Sequence, residues 1–283
     1  MNKRLVATFI CVLTLLSICT SAYGFDATAN MSKQEFVEYI ENKASVNRSQ
    51  SSAMALSAEE KDLILLEAFE NGFDEDEQQQ LEDMGIHLYK YENNNNIVPM
   101  GMGTSSDVDQ EVPAIAYDEV DDEWLVTAGG KWNNVSWVTP GNVGGHDMVG
   151  FNFNYSNIGS LPLTQLPRYT SIIGSLLDPS SGKRVLNYDD CLGDETKGIA
   201  VEMQDYGTTS GGYVGKNFAV VVRYDWRFTY VDGSVRGFYV HTSDEASISD
   251  ITFSGNSSKE ISVSVTFSPT TGGFREYSNR KDL

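Results

Sequence analysis

Residues 217–224 read Asn-Phe-Ala-Val-Val-Val-Arg-Tyr, and this stretch decides the class of fold. Its even-numbered and odd-numbered positions are both apolar, with Arg223 as the only charge. A strand that is apolar on both faces is buried on both faces, as happens at the centre of a sheet. We therefore expect a large β-structure with 217–224 as one of its inner strands.

Further strands are predicted around this one, at the spacing that is typical of β-sandwiches. They cover residues 86–91, 114–117, 124–128, 149–155, 170–177, 198–204, 248–253 and 261–267. Asp232-Gly233 stands between residues 227–231 and 234–242, and this pair favours a two-residue hairpin turn. Roughly 8 to 10 strands at such spacing predict an antiparallel β-sandwich over residues 113–283.

The front of the chain has a different composition. Residues 25–98 contain no proline and only two glycines, Gly72 and Gly85. Ser32, Ser57 and Asp74 each stand three residues before a glutamate, which is the capping box at the start of a helix. Residues 25–91 are therefore predicted to form a small acidic α-helical region in front of a mainly β fold.

Acidity is concentrated in the same part of the chain. Residues 25–124 hold 24 acidic and 5 basic residues, whereas residues 125–283 hold 16 and 13. Between the two halves, residues 92–112 are rich in Asn, Gly and Ser, which predicts a flexible linker that a protease could cut. The acidic helical region could thus be a permanent domain or a removable pro-segment.

The first 24 residues have the pattern of a secretory signal peptide. Lys3 and Arg4 precede an apolar run over residues 5–18, and Ala22-Tyr23-Gly24 ends the segment with small residues. The apolar run is shorter than the roughly 20 residues that cross a membrane, so we expect a secreted chain that begins at Phe25 and has no transmembrane segment. Cys191 is then its only cysteine, and this layout is typical of exported proteins of Gram-positive bacteria, which often lack cysteine.

Charge and motifs exclude several classes of function. The formal net charge of -20 would repel nucleic acid and anionic membranes, so no nucleic-acid partner is expected. The three histidines stand more than 50 residues apart, without the spacing of a zinc site. No catalytic motif is present, and no catalytic residue is assigned.

Aromatic and amide side chains give the strongest indication of a binding site. Trp132 and Trp137 lie in a stretch rich in Gly and Asn, and a glycine turn could present His146 beside a carboxylate. Aromatic faces beside amides are what a sugar-binding surface needs, although rings in strands also fill cores. The candidate ligand-binding residues are Trp132, Asn133, Asn134, Trp137, His146 and Asp147.

Two carboxylate clusters are candidates for calcium, because hard oxygen ligands in loops suit that ion. The first spans Asp118 to Glu123 and the second Asp189 to Glu195. Solvated acidic loops have the same composition, so no cofactor is assigned and calcium remains an option.

Three classes of function fit these features. The first is a secreted non-catalytic binding protein that recognises polysaccharide or another cell-surface partner through loops of the β-sandwich. The second is a secreted toxin or antimicrobial protein masked by the acidic helical pro-segment. The third is a hydrolase that uses scattered carboxylates, whose pairing a sequence does not reveal.

Overall fold

The computed structural model describes residues 28, 30–47, 56–91, 107–157, 166–188, 191–194, 197–243, 247–255, 261–268 and 273–283. This part of the chain is mainly β, with antiparallel sheets and three α-helices. The predicted signal peptide and residues 92–106 of the predicted linker lie outside the described residues.

The three helices begin where the capping boxes predict. They are α1 (Lys33–Asn47), α2 (Ala58–Asn71) and α3 (Glu75–Asp83). At the start of α2, the Ser57 side chain accepts from the Glu60 amide while the Glu60 side chain accepts from the Ser57 amide. Gly72 ends α2 in the left-handed conformation at φ 92°, as a glycine cap does. Among the described residues, no helix is long and apolar enough to cross a membrane.

Strands form two large antiparallel sheets and a hairpin. They are β1 (Ile86–Leu88), β2 (Val108–Gln110), β3 (Ala114–Asp118), β4 (Glu123–Trp132), β5 (Gly141–Asn157), β6 (Tyr169–Asp178), β7 (Lys183–Tyr188), β8 (Cys191–Asp194), β9 (Gly198–Gly207), β10 (Tyr213–Val214), β11 (Asn217–Tyr224), β12 (Asp232–Thr242), β13 (Ser247–Gly255), β14 (Ile261–Ser268) and β15 (Gly273–Asp282). The first sheet has the order β1-β3-β4-β11-β6-β7, with β2 on β4. The second has the order β10-β9-β5-β12-β15, with β8 on β9, and β13 pairs with β14.

Strand β11 is central, as its two apolar faces predict. It lies between β4 and β6 in the first sheet. Phe218 and Val220 on one face join a cluster of buried side chains to which both large sheets contribute. Ala219 and Val221 on the other face pack in a second cluster with Leu66 of α2. Helices α2 and α3 therefore cover the outer face of the first sheet, whereas Phe36 and Ile40 of α1 belong to the cluster that the two sheets share.

The predicted hairpin at Asp232-Gly233 is wrong. Residues 226–230 form a 3-10 helix, and Asp225 caps it by accepting from the Arg227 amide at 3.1 Å. Asp232-Gly233 instead begins β12, which pairs with β5 and β15. Gly233 is required there because its φ is 150° and a Cβ would lie 2.0 Å from the Asn154 carbonyl oxygen. The glycine thus allows close strand pairing instead of a turn.

Strand β2 lies inside the segment 92–112 that composition assigns to a linker. It pairs with β4, with Val108 opposite Trp132. Val108 is buried in the cluster that the two large sheets share. A strand of three residues is too short to give a periodic signal, so composition alone does not separate it from the segment before it.

Candidate functional site

Trp132 and Trp137 lie together at one end of the first sheet. Trp132 is the last residue of β4 and is buried, with 4% of its surface exposed, whereas Trp137 in the following loop is 40% exposed. The Trp137 ring centroid lies 5.1 Å from that of Trp132, 5.4 Å from that of His241 and 5.8 Å from that of Tyr213. One side of an exposed indole is therefore fixed against three buried rings.

The loop that carries Trp137 is held by its own hydrogen bonds. The indole Nε1 of Trp137 donates to the Asn134 carbonyl at 3.2 Å, and the Ser136 amide donates to Asn134 Oδ1 at 3.0 Å. The Val138 amide donates to the Val135 carbonyl at 3.1 Å. These short-range bonds make a compact turn that presents the indole to solvent.

Five polar side chains lie behind the two tryptophans and form what we call the inner polar cluster. Its members are Asp147 of β5, Asp205 of β9, Tyr213 of β10, and Tyr239 and His241 of β12. All five are buried. They occupy inward-facing positions of the second sheet, next to the core that both large sheets share.

Hydrogen bonds join the members of the inner polar cluster. Asp147 accepts from the Thr242 amide at 2.9 Å and from the hydroxyl of Tyr239, and its two oxygens lie 3.1 Å from His241 Nδ1. Asp205 accepts from the hydroxyl of Tyr213. Polar groups at this depth are stable only when they are paired in this way.

Burial and nearby charge change the pKa of three members of the inner polar cluster, Asp205, Tyr213 and Tyr239. Burial, and then the neighbouring Asp147, raise the pKa of Asp205 to about 9. Burial likewise raises the pKa of Tyr213 and of Tyr239 well above the ordinary value, with Asp147 as a further cause. Burial therefore favours the protonated form of Asp205 and of both phenols.

The inner polar cluster contains the donor atoms of a metal site. One ligand atom each from Asp147, Asp205 and His241 can be chosen so that all three lie within 4.8 Å of one another. Carboxylate oxygen with imidazole nitrogen is a donor set that binds divalent transition metals.

The candidate residues from the sequence are partly brought together. Trp132, Trp137 and Asp147 meet at the inner polar cluster, while Asn133 and Asn134 lie exposed in the loop. His146 does not lie beside the Asp147 carboxylate, because neighbouring residues of β5 point to opposite faces. The His146 side chain is exposed, with Nδ1 3.8 Å from Glu202 Oε1.

Four members of the cluster were missed by the sequence analysis, namely Asp205, Tyr213, Tyr239 and His241. Each lies at a position that points into the core. Asp205 continues the inward alternation of Val201 and Met203 along β9. A charged residue at an inward position of an apolar alternation is a signal that could have found it.

Three carboxylates of the first predicted calcium cluster, Asp118, Asp121 and Glu123, are paired with protein cations. Lys61 Nζ lies 2.9 Å from Asp118 Oδ2 and 3.0 Å from Asp121 Oδ2. Arg223 Nη1 lies 3.1 Å from Asp118 Oδ2 and 3.2 Å from Glu123 Oε2. These side chains supply the positive charge that calcium would bring. In the second predicted cluster, the side chains of Asp189, Asp190, Asp194 and Glu195 lie outside what the structure describes.

A second exposed aromatic pair lies at the opposite end of β11. Trp226 and Tyr230 of the 3-10 helix are 48% and 41% exposed, with ring centroids 5.9 Å apart. The guanidinium of Arg227 lies 5.6 Å from the Trp226 ring. This pair has no buried polar cluster described beneath it and serves below as a control.

Comparison with models of known protein families found no match, and a search of curated proteins found no matching relative. The side chains themselves therefore carry the functional inference.

Proposed function

We propose that this chain is a secreted, non-catalytic binding protein that recognises polysaccharide at a cell surface through the loop 133–140. The observation that carries the proposal is the exposed indole of Trp137, which is fixed against Trp132, His241 and Tyr213. A rigid aromatic face loses little entropy when a sugar ring stacks on it.

Amide groups next to this ring supply the polar half of a sugar site. Asn133 and Asn134 are exposed in the same loop. Amides donate to and accept from sugar hydroxyls, while the indole stacks on the apolar face of the sugar. Trp132 is buried and supports Trp137, and His146 on the outer face of β5 is not part of the proposed contact surface.

A β-sandwich is the proposed scaffold for this site. Its support is the single cluster of buried side chains to which both large sheets contribute, including Val126 and Val220 from the first and Val149 and Tyr239 from the second. Two sheets that share one core in this way are typical of sandwiches, with binding loops at the ends of the strands.

Burial argues against the hydrolase alternative. Asp147 and Asp205 are a close carboxyl pair in the described residues, and both are almost completely buried. A glycosidase must bring its two carboxyl groups into contact with the scissile bond.

The masked-toxin alternative requires residues 25–112 to leave the β-structure intact when they are removed. Helix α2 buries Leu65 and Leu66 against the first sheet and pairs Asp62 with Arg223 at 2.7 Å. Loss of these contacts would expose an apolar sheet face and a buried guanidinium. This interface favours a permanent helical region.

Retention on insoluble polysaccharide tests the proposal. Cellulose, chitin, xylan and peptidoglycan are each incubated with the chain from Phe25 and with Trp137→Ala and Trp226→Ala. We expect the wild type and Trp226→Ala to be retained on at least one of the four polysaccharides. Trp137→Ala should lose at least about fivefold in affinity, because one stacked aromatic ring is worth about 1 kcal/mol or more. Wild-type protein that is retained on none of them, or equal retention of all three proteins, contradicts the proposal.

The intact mass of the protein from culture medium tests secretion and processing. A mass that matches residues 25–283 is expected for a secreted protein with a permanent helical region. A mass that begins between Glu92 and Val112 would favour the pro-segment. Absence of the protein from the medium, with the mass of residues 1–283 in the cells, would contradict secretion.

A further inference from the structure

We propose that Asp147, Asp205 and His241 bind one divalent transition-metal ion between β5, β9 and β12, with zinc as the best fit. The site is independent of polysaccharide binding and lies behind the loop that carries Trp137. Its role is structural, because a metal ion there would join three strands of the second sheet.

Donor geometry is the first support. His241 Nδ1 already lies 3.1 Å from both oxygens of Asp147, and an oxygen of Asp205 completes a set within 4.8 Å. Zinc with bonds of about 2.0–2.1 Å in tetrahedral geometry separates its ligand atoms by roughly 3.3 Å. One pair of donors is near this separation already, and a small movement of Asp205 brings in the third.

Charge is the second support, and it comes from a contrast within the chain. The other buried carboxylates at the helix–sheet junction are paired with cations, as Asp62 and Asp118 are with Arg223, and Asp118 also with Lys61. Among the described hydrogen bonds and ion pairs of Asp147 and Asp205, none involves a lysine or an arginine. Asp147 has His241 as its partner in an ion pair. A metal ion would take the place of the proton on Asp205 and would bring positive charge to both carboxyl groups, as Arg223 and Lys61 do for Asp62 and Asp118.

Imidazole among the donors selects the kind of metal. Calcium takes oxygen ligands, whereas zinc and its neighbours in the first transition row take imidazole nitrogen together with carboxylate oxygen. The hydroxyls of Tyr213 and Tyr239 donate to the two carboxyl groups, and Trp132 Nε1 donates to the Tyr239 hydroxyl at 3.2 Å. Hydrogen bonds of this kind hold the ligands of a metal in position.

Calorimetric titration of the chelator-treated chain with zinc chloride tests the site. We expect one zinc ion per chain and no comparable binding of calcium chloride. Asp205→Asn and His241→Gln remove one ligand each and should weaken zinc binding by at least about 100-fold. Emission from Trp137, whose ring lies 5.4 Å from that of His241, should change during the titration.

His146→Gln is the matched control, because His146 is an exposed histidine of β5 that lies near Glu202. It should leave zinc binding unchanged. No zinc binding by the wild type, or zinc binding that is lost in His146→Gln but kept in His241→Gln, would overturn the proposal. If the ligand variants do not fold, X-ray absorption at the zinc edge of the zinc-loaded wild type identifies the ligands instead. One imidazole with oxygen neighbours supports the site, and oxygen neighbours alone overturn it.

Discussion

Arg223 gives the sharpest test of how the helices are joined to the first sheet. Only 1% of its side chain is exposed. Its Nε donates to Asp62 Oδ1 of α2 at 2.7 Å, and its Nη1 donates to Asp118 Oδ2 of β3 at 3.1 Å. Arg223→Met keeps an unbranched side chain in place and leaves the Asp62 carboxylate buried without its cation.

The loss of stability expected for Arg223→Met follows from the burial of Arg223 and Asp62. Removing one partner of a buried pair destabilises by about 3–5 kcal/mol, since the remaining charge has no compensation. The loss is a large fraction of the roughly 5–15 kcal/mol that stabilise a typical domain. Asp118 retains Lys61, so Asp62→Leu added to Arg223→Met should recover most of the loss. The double variant is therefore expected to be more stable than Arg223→Met alone.

Urea unfolding, followed by far-ultraviolet circular dichroism and by tryptophan fluorescence, measures these differences. Lys43→Met is the matched control, because its ion pair with Glu82 at 3.2 Å is exposed and should be worth less than about 1 kcal/mol. An Arg223→Met variant that loses no more stability than Lys43→Met would refute the reasoning. A double variant less stable than Arg223→Met would refute it as well.

Three further predictions use the same unfolding assay. Burial, followed by Lys90, lowers the pKa of Lys33 to about 8 against the opposing effect of Asp232. The folded chain therefore binds the Lys33 proton more weakly than the unfolded chain does. The free energy of unfolding of the wild type, relative to Lys33→Met, should rise between pH 8 and 10.5 by at most about 3 kcal/mol. The same dependence of stability on pH in both proteins would contradict this prediction. Trp132→Ala should lower the free energy of unfolding by about 3–5 kcal/mol and Trp137→Ala by about 1–2 kcal/mol, because only Trp132 is fully buried. Equal losses of stability in the two variants would contradict this prediction. A chain that begins at Pro113 should not unfold cooperatively, since it lacks the helices that cover the first sheet; a sharp transition would instead support a removable pro-segment.

Local patterns predict much of this fold because they are set by neighbouring residues. The caps at Ser57 and Asp74 depend on a glutamate three positions later, and both helices start there. The two apolar faces of β11 likewise predict its central position. The turn predicted at Asp232-Gly233 did not form, because Gly233 pairs with β5 instead. Residues next to Gly233 in the sequence carry no information about this pairing with a distant strand.

The candidate site shows the same limit. Trp132 and Trp137 were predicted from the Gly- and Asn-rich stretch around them, and Asp147 was predicted as the neighbour of His146 in a glycine turn. Their partners Asp205 and His241 come from β9 and β12, and only the strand order β9-β5-β12 brings them to Asp147. Contacts between distant strands depend on register, and a shift of one residue would turn every one of these side chains to the other face.

The indole N–H signals in a nitrogen-15 correlation spectrum test the proposed binding surface most directly. The four tryptophans give separate signals that Trp→Phe variants assign, and a soluble oligosaccharide from the retaining polysaccharide is titrated in. Trp137 should shift in a saturable manner, while Trp226 at the opposite end of β11 and the buried Trp124 stay in place. A spectrum in which Trp137 does not move, or in which only Trp226 moves, would contradict polysaccharide binding by the loop 133–140.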